Sequence, residues 1–305
     1  MRTGFKGTFS IVAADVEAGE VGCAVQSRYF AVGSVVPWAK AGIGAVATQA
    51  AGVAAYGPKV LALLEEGIEP AAALERALAD DGARESRQLG VVTADGRAAA
   101  HTGTDCLRWA GHRVGDGYAV QGNILAGEPV VAEMERAFLE TGGSSLAERL
   151  VTCLEAAQAV GGDRRGQQSS AIVVERSGAA AESREGIDRI CELRVDDNPE
   201  PIAELRRLLG THLVWDSLRR ASLFHEPAKY AQGVEALRQA LGRLGEDPVL
   251  LYDLACFESL AGDTEEALAH LVRSLELDPQ LAPGAAADSD FEALRQDRRF
   301  QAAVS

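Results

Sequence analysis

The stretch "KGTFSIVAADVEAGEVGCAVQSRYFAVG", residues 6–33, decides the fold. Residues 8–14, TFSIVAA, favour a strand, DVEAGE is a turn, and VGCAVQS is a second strand, so the pair reads as a β-hairpin. The Gly7-Thr8 pair at its start is open to two readings. It is the way into an edge strand, or it is a bond that must open to free a catalytic threonine. A threonine hydroxyl is a weak nucleophile, and a free α-amine on the same residue can act as its base.

Working outward, "VVPWAKAGIGAVATQA" (35–50) gives two short apolar strands around Lys40-Ala41-Gly42. Residues 57–66 and 69–80 repeat their apolar positions with a helical period, with Gly67 between them and Pro58 and Pro70 near their starts. "RQLGVVTADGRAAAHTG" (87–103) is a hairpin turning at Asp95-Gly96, and "HRVGDGYAVQGNIL" (112–125) closes the same sheet region. Helices over 128–141 and 144–160 follow. Then come the glycine-rich loop "GGDRRGQQSS" (161–170), the strands "AIVVE" and "RICELRVDD", and a helix opened by "PEP". Strands with helices gathered into pairs predict an α+β sandwich with helices on both outer faces.

The chain has 305 residues, which suits one domain of about 200 residues and a smaller one of about 100. We expect a first domain over 1–210, a linker or helix over 211–227, and an all-α domain over 228–305. "DPVLLYDLACFESLAGDTEEALAHLVRSLELDP" (247–279) fits a tetratricopeptide repeat through Leu251, Leu254, Ala255, Ala267, Leu271 and Pro279, with Gly262-Asp263 as the inter-helix turn. One repeat is short of the roughly three that a free-standing array needs. These helices are therefore expected to dock on the first domain or to pair between subunits, as a homo-oligomer. A net charge of −15 argues against a nucleic-acid partner. No apolar signal segment follows the first residues, and no apolar run is long enough to span a bilayer, so no membrane partner is expected. Cys23, Cys106, Cys153, Cys191 and Cys256 are scattered, which fits a cytoplasmic protein with small buried thiols. No metal or other cofactor is expected from the histidine and cysteine spacing.

The segments "TFSIVAAD" (8–15), "VGCAVQSRYFAVGSVVPWAKAGIGAVATQA" (21–50), "YGPKVLALL" (56–64), "RQLGVV" (87–92), "AGHRVGDGYAVQGNILAG" (110–127), "GGDRRGQQSSAIVV" (161–174) and "LRVDDNPEPIAELRRLL" (193–209) together resemble the family carrying domain of unknown function 1028, DUF1028. That family is grouped with the N-terminal nucleophile (Ntn) hydrolases. The resemblance implies a four-layer αββα sandwich over roughly 8–210, while the activity of the family is not settled. Family members place TFSI directly after the initiator Met. Here seven residues precede Thr8, so exposing it would need cleavage between Gly7 and Thr8. Proteasome-type members of the superfamily pair the N-terminal Thr with a Lys 32 residues on, which in this chain is Lys40.

On these grounds the expected catalytic residues are Thr8 as nucleophile, Lys40 to keep its amine neutral, Asn123 as an oxyanion donor, and Asp163 as partner of Lys40 or of the amine. Ser27, Arg28, Thr48, Gln49, Gln121, Gly122, Arg165 and Ser169 are expected substrate contacts. They sit at strand ends or in polar loops, where function gathers. The guanidinium of Arg28 suits a carboxylate, and Gly122 permits close backbone approach. Ser10 is a fallback nucleophile, and His101 and His112 are further acid–base candidates. Each position also has a plain reading as a strand-end or loop residue. The expected function is hydrolysis of a small amide or peptide bond; the alternative is a non-catalytic binding or scaffold protein using its repeat helices. The reading requires Thr8, Ser27, Lys40, Asn123 and Asp163 to converge on one cleft. If Lys40 lies on the opposite face from Thr8, or beyond hydrogen-bond or one-water reach of it, the nucleophile assignment is to be dropped.

Overall fold

A computed structural model describes residues 7–182 and 186–305. The start of the chain, residues 1–6, where no signal segment was read, lies outside the described residues. The chain separates into two compact units, one ending at Leu209 and one beginning at Gly210.

The first unit is mixed α and β, with two antiparallel sheets. In chain order its elements are β1 (Thr8–Asp15), β2 (Glu20–Ser27), β3 (Pro37–Lys40), β4 (Gly44–Ala50), α1 (Tyr56–Glu65), α2 (Pro70–Leu78), β5 (Arg87–Thr93), β6 (Ala98–Thr102), β7 (Gly111–Gly115), β8 (Tyr118–Asn123), α3 (Pro129–Glu140), α4 (Leu146–Ala159), β9 (Ser169–Arg176), α5 (Ala179–Glu182) and β10 (Arg189–Val195). The larger sheet runs β10-β9-β2-β1-β8-β7 and the smaller β3-β4-β5-β6. The opening hairpin is therefore central. β1 is flanked by β2 and β8 and is not an edge strand.

Side chains alternate across a strand, and the alternation here feeds two different layers. Val12, Val21, Cys23 and Val25 of the larger sheet meet Ala45, Ala47 and Val92 of the smaller one in a shared core. The opposite face of the smaller sheet, through Val46, Leu89 and Val91, packs on Val60, Leu61 and Leu64 of α1 and Leu74 and Leu78 of α2. The opposite face of the larger sheet meets α4, where Leu150 lies against Gly22. Local signals start these helices. Pro70 and Pro129 stand at the first helical positions, where a missing N–H is harmless, and Ser145 with Glu148 forms a capping box on α4.

The second unit is all helix. It holds the later part of α6 (Pro201–Ser222), then α7 (Tyr230–Leu244), α8 (Pro248–Ala261), α9 (Thr264–Leu277), α10 (Ala282–Ala287) and α11 (Arg298–Ala303). The segment read as a linker or helix is helical to Ser222, and Val214, Leu218 and Ala221 share a core with α7 and α8. Asp247 caps α8, and Gly262, at φ 94°, closes it in the left-handed region that glycine alone adopts freely. The α8–α9 pair packs against other helices of its own unit. One side is covered by Val214, Val234 and Leu237, the other by Phe291, Leu294 and Phe300, all within the unit. No described helix is long and apolar enough to cross a membrane.

Candidate functional site

The two sheets bury a core between them that is apolar along most of its length and polar at one end. Thr8, Ser10, Ser27, Gln49, Gln88, Gln121 and Asn123 are all buried. In register, Thr8 stands between Ser27 and Asn123, and Ser10 opposite Gln121. The amides knit the sheets together. Gln121 Nε2 donates to Ser10 Oγ at 2.6 Å, and Ser10 Oγ donates to Gln49 Oε1 at 2.7 Å. Gln88 is the hub: its Oε1 accepts from Gln49 Nε2 and from Asn123 Nδ2, both at 2.9 Å, and its Nε2 donates to the Gly122 carbonyl at 2.8 Å. Gly90 is glycine because a Cβ there would stand 2.0 Å from Gln121 Oε1. Buried amides left unpaired cost roughly 1–3 kcal/mol each, so such a network stabilises only when nearly complete.

At the edge of this network the Gly7 carbonyl takes two donors. Ser27 Oγ donates to it at 2.5 Å and Arg165 Nη2 at 2.7 Å. A hydroxyl has one proton, and Ser27 spends its own on Gly7. In the 3.0 Å contact between Thr8 Oγ1 and Ser27 Oγ, Thr8 is therefore the donor. The buried Asp163 carboxylate fixes Arg165 through Nε at 3.1 Å and Nη2 at 2.7 Å, and accepts the backbone N–H groups of Arg165 and Arg28. It lies so close to residue 7 that a Cβ there would meet its atoms at 2.5–2.7 Å, which explains the glycine before Thr8. A buried carbonyl needs a partner in any fold. A carbonyl oxygen has two lone pairs, and here a hydroxyl and a guanidinium take both, beside a Thr8 hydroxyl that donates to the same Ser27.

The structure brings Thr8, Ser27, Asn123, Asp163, Arg165, Gln49 and Gln121 to this end of the strands, places Arg28 at its exposed edge, and corrects four other expectations. Lys40 is not there. Its ammonium pairs with Glu65 at 2.6 Å, and the Ala41 N–H next to it bonds Glu175, which stands in register with Val21 at the far end of the larger sheet. At about 3.3 Å per residue that is roughly 20 Å from Thr8. A count of residues from Thr8 is blind to which end of a hairpin the count reaches. Thr48 has the parity of Val46, so it faces α1, and its hydroxyl donates to the Val53 carbonyl. Gly122 lies mid-ladder between Phe9 and Gly111, so it is no oxyanion cradle. Ser169 is consumed locally, accepting from Val32 N and donating to Tyr29 O. The Arg28 side chain lies outside the buried network: it is exposed and reaches only the Arg165 and Gln167 carbonyls, at 3.5 Å. His101 bonds the Arg84 carbonyl, whereas His112 reaches Thr102, itself a partner of Gln88, and burial lowers its pKa.

Two features escaped sequence reasoning. Gln88 begins its strand, and only strand parity with Val92 marks it as inward. The second is backbone strain. Among the described residues, three non-glycine residues have positive φ: Ala31 (53°), Ala50 (67°) and Ile124 (55°). They end or follow β2, β4 and β8 at the Thr8 end. A left-handed β-branched residue such as Ile124 is a genuine outlier, and strain of this kind gathers at functional sites. The buried thiols, by contrast, are inert: burial pushes Cys106 up to about 11 and Cys153 up to about 12.

The family of unknown function DUF1028 matches residues 8–205. Among solved structures, the chain is similar to the crystal structure of protein SPO2555 from Silicibacter pomeroyi, whose description also carries DUF1028. The two are 29% identical with a TM-score of 0.60, covering 67% of this chain and 88% of that one. No curated protein matches the chain. The match spans the β1–β2 hairpin, both helix pairs and the polar strand end, and the chain belongs to the DUF1028 family.

Proposed function

We propose that the chain is a self-processing amide-bond hydrolase of the N-terminal nucleophile type, with Thr8 as nucleophile. The observation that carries this reading is the Gly7 carbonyl, held by Ser27 and Arg165 beside a Thr8 hydroxyl that donates towards Ser27. In the processing step Thr8 Oγ1 bonds the Gly7 carbon as its proton passes to Ser27 and the Ser27 proton passes on to the Gly7 oxygen. Charge developing on that oxygen is met by Arg165, in the manner of an oxyanion hole. The C–N bond then breaks as the nitrogen takes up the proton, leaving an ester between Gly7 and Thr8. Water hydrolyses it, and Thr8 keeps a free amine. That amine supplies the base in each later cycle. The sequence-based assignment of Thr8 through Lys40 fails, because Lys40 is out of reach; this reading of Thr8 rests instead on the Gly7 carbonyl, with Asp163 positioning Arg165.

The two facing sheets, with α1 and α2 on one outer face and α4 on the other, fit the four-layer αββα arrangement of that superfamily. We read α8 and α9, joined at Gly262, as one tetratricopeptide-like repeat. The competing reading is a binding protein in which Thr8 stays in peptide linkage and the helical unit meets a partner. A chain begun at Met-Thr8 should lose its Met in the cell and hydrolyse a small amide. Its Thr8→Ala variant should be slower by about 10²–10⁴-fold or more. A Met-Thr8 protein as inert as the full chain across a panel of amides favours the binding protein.

A further inference from the structure

The rim around Thr8 differs in charge from the rest of the molecule. Four backbone segments meet there. Ile124 and Leu125 donate to the Leu107 and Trp109 carbonyls, Ala126 and Arg164 pair with Gly162 and Ile124, and Arg28 N bonds Asp163. Across residues 27–32, 105–110, 122–126 and 162–168 there are four arginines against two aspartates, in a chain of net charge −15. Asp163 is already committed to Arg165. Arg28, Arg108 and Arg164 are exposed, and no ion pair joins them to a carboxylate among the described residues.

Elsewhere in this unit most guanidinium groups are neutralised. The cleft of about 220 Å³ between β3 and β10 is also lined by arginines, but there Arg189 pairs with Glu175 and Glu192, and Arg194 with Asp196. Planar guanidinium groups left without carboxylates, on segments beside the buried polar end of the strands, suit a ligand that brings its own. Phe30 and Leu107, 62% and 43% exposed, stand on the same segments and offer apolar contact beside the charges. Large exposed apolar side chains grouped around a site mark a binding surface.

We propose that Arg28, Arg108 and Arg164 bind a free carboxylate of the substrate, so that the amide cleaved at Thr8 belongs to an anionic, carboxylate-bearing molecule. This rests on the hydrolase reading for the word substrate, but the anion site can be tested without it. In calorimetry on the full chain, glutarate should bind, more weakly as salt rises. Arg28→Gln/Arg164→Gln should weaken binding by about tenfold or more, the scale of a lost charge-assisted hydrogen bond. On the Met-Thr8 protein, kcat/KM for glutaryl-4-nitroanilide should exceed that for acetyl-4-nitroanilide, and the same double variant should shrink the ratio by about tenfold. Equal kcat/KM for the two anilides, or a preference untouched by the variant, overturns the proposal while leaving the hydrolase intact. If neither anilide is cleaved, the hydrolase reading falls and calorimetry alone decides. Glutarate binding lost in the variant then sustains the anion site, and absence of binding to the unaltered chain overturns it.

Discussion

The same strands carry two different interiors. At the Glu20 end of the β1–β2 hairpin the facing sheets meet through Val12, Val21, Cys23, Ala45 and Val92; at the Ser27 end they meet through Thr8, Ser10, Gln49, Gln88 and Gln121. Both ends lie on the same strands and both are buried, but they differ in side-chain chemistry and in the left-handed residues Ala31, Ala50 and Ile124 at the Thr8 end. An apolar interior needs only to be filled. A polar one must be satisfied bond by bond, and at the Thr8 end every member of the named network but Gln121 Oε1 finds its partner, beside three strained backbone positions. That investment is difficult to explain by stability alone.

The sharpest way to break this comparison is to remove the carboxylate at the polar end. Asp163→Ala strands the Arg165 guanidinium and two backbone N–H groups, and should destabilise the first unit by about 3–5 kcal/mol in urea unfolding. A loss below about 1 kcal/mol would show that the ion pair is incidental. Gln88→Leu comes next. It keeps the volume but orphans the Gln49 and Asn123 donors, and should cost about 2–4 kcal/mol, more than Val92→Ala on the apolar side at about 2 kcal/mol. The reverse order would mean that the polar end is ordinary core.

A carboxylate with different neighbours sharpens the point. Asp163 is buried against an arginine, whereas Asp253 of the helical unit is half-buried near Asp288 and Asp290, and loss of solvent chiefly, with those charges, pushes it up to about 6. Its folded pKa is above its unfolded value of about 3.9. Between about pH 4 and pH 6 the native state therefore holds the extra proton, and stability from this group is lost as pH rises through that window. Asp253→Asn should then melt higher than the unaltered protein at pH 7–8, by a margin worth about 1–3 kcal/mol, and the margin should vanish below about pH 4. A margin independent of pH would contradict the assignment.

How far the sequence disclosed all this depends on the kind of signal. The strands and helix pairs were legible because apolar period and turn chemistry are local. Ser27, Gln49, Gln121 and Asn123 were legible as polar residues at strand ends. Lys40 and Thr48 misled for one reason each: residue spacing carries no information about which end of a sheet a turn occupies, and adjacent strand residues face opposite ways. Gln88 needed strand parity applied to a residue that looks like a surface position. The left-handed conformation of Ile124 has no sequence signature, since it is imposed by the pairing of its neighbours with residues 107–109 and 162–164.

That imposed strain supplies the smallest expected effect. Ala50→Gly relieves a left-handed alanine but removes a buried methyl group, so its cost should fall within about 1 kcal/mol of zero. A clearly larger loss in urea unfolding would mean that the Ala50 methyl, not the backbone, matters to the site.

The central claim is that the Gly7-Thr8 bond is built to be opened by Thr8 itself. Intact-mass spectrometry of the purified full-length chain over time tests it most directly, alongside Thr8→Ala and Arg165→Gln. The account predicts a product short of residues 1–7 and beginning at Thr8, absent in Thr8→Ala and slowed in Arg165→Gln. A full-length mass that persists unchanged in the unaltered chain, or equal cleavage in Thr8→Ala, would contradict it.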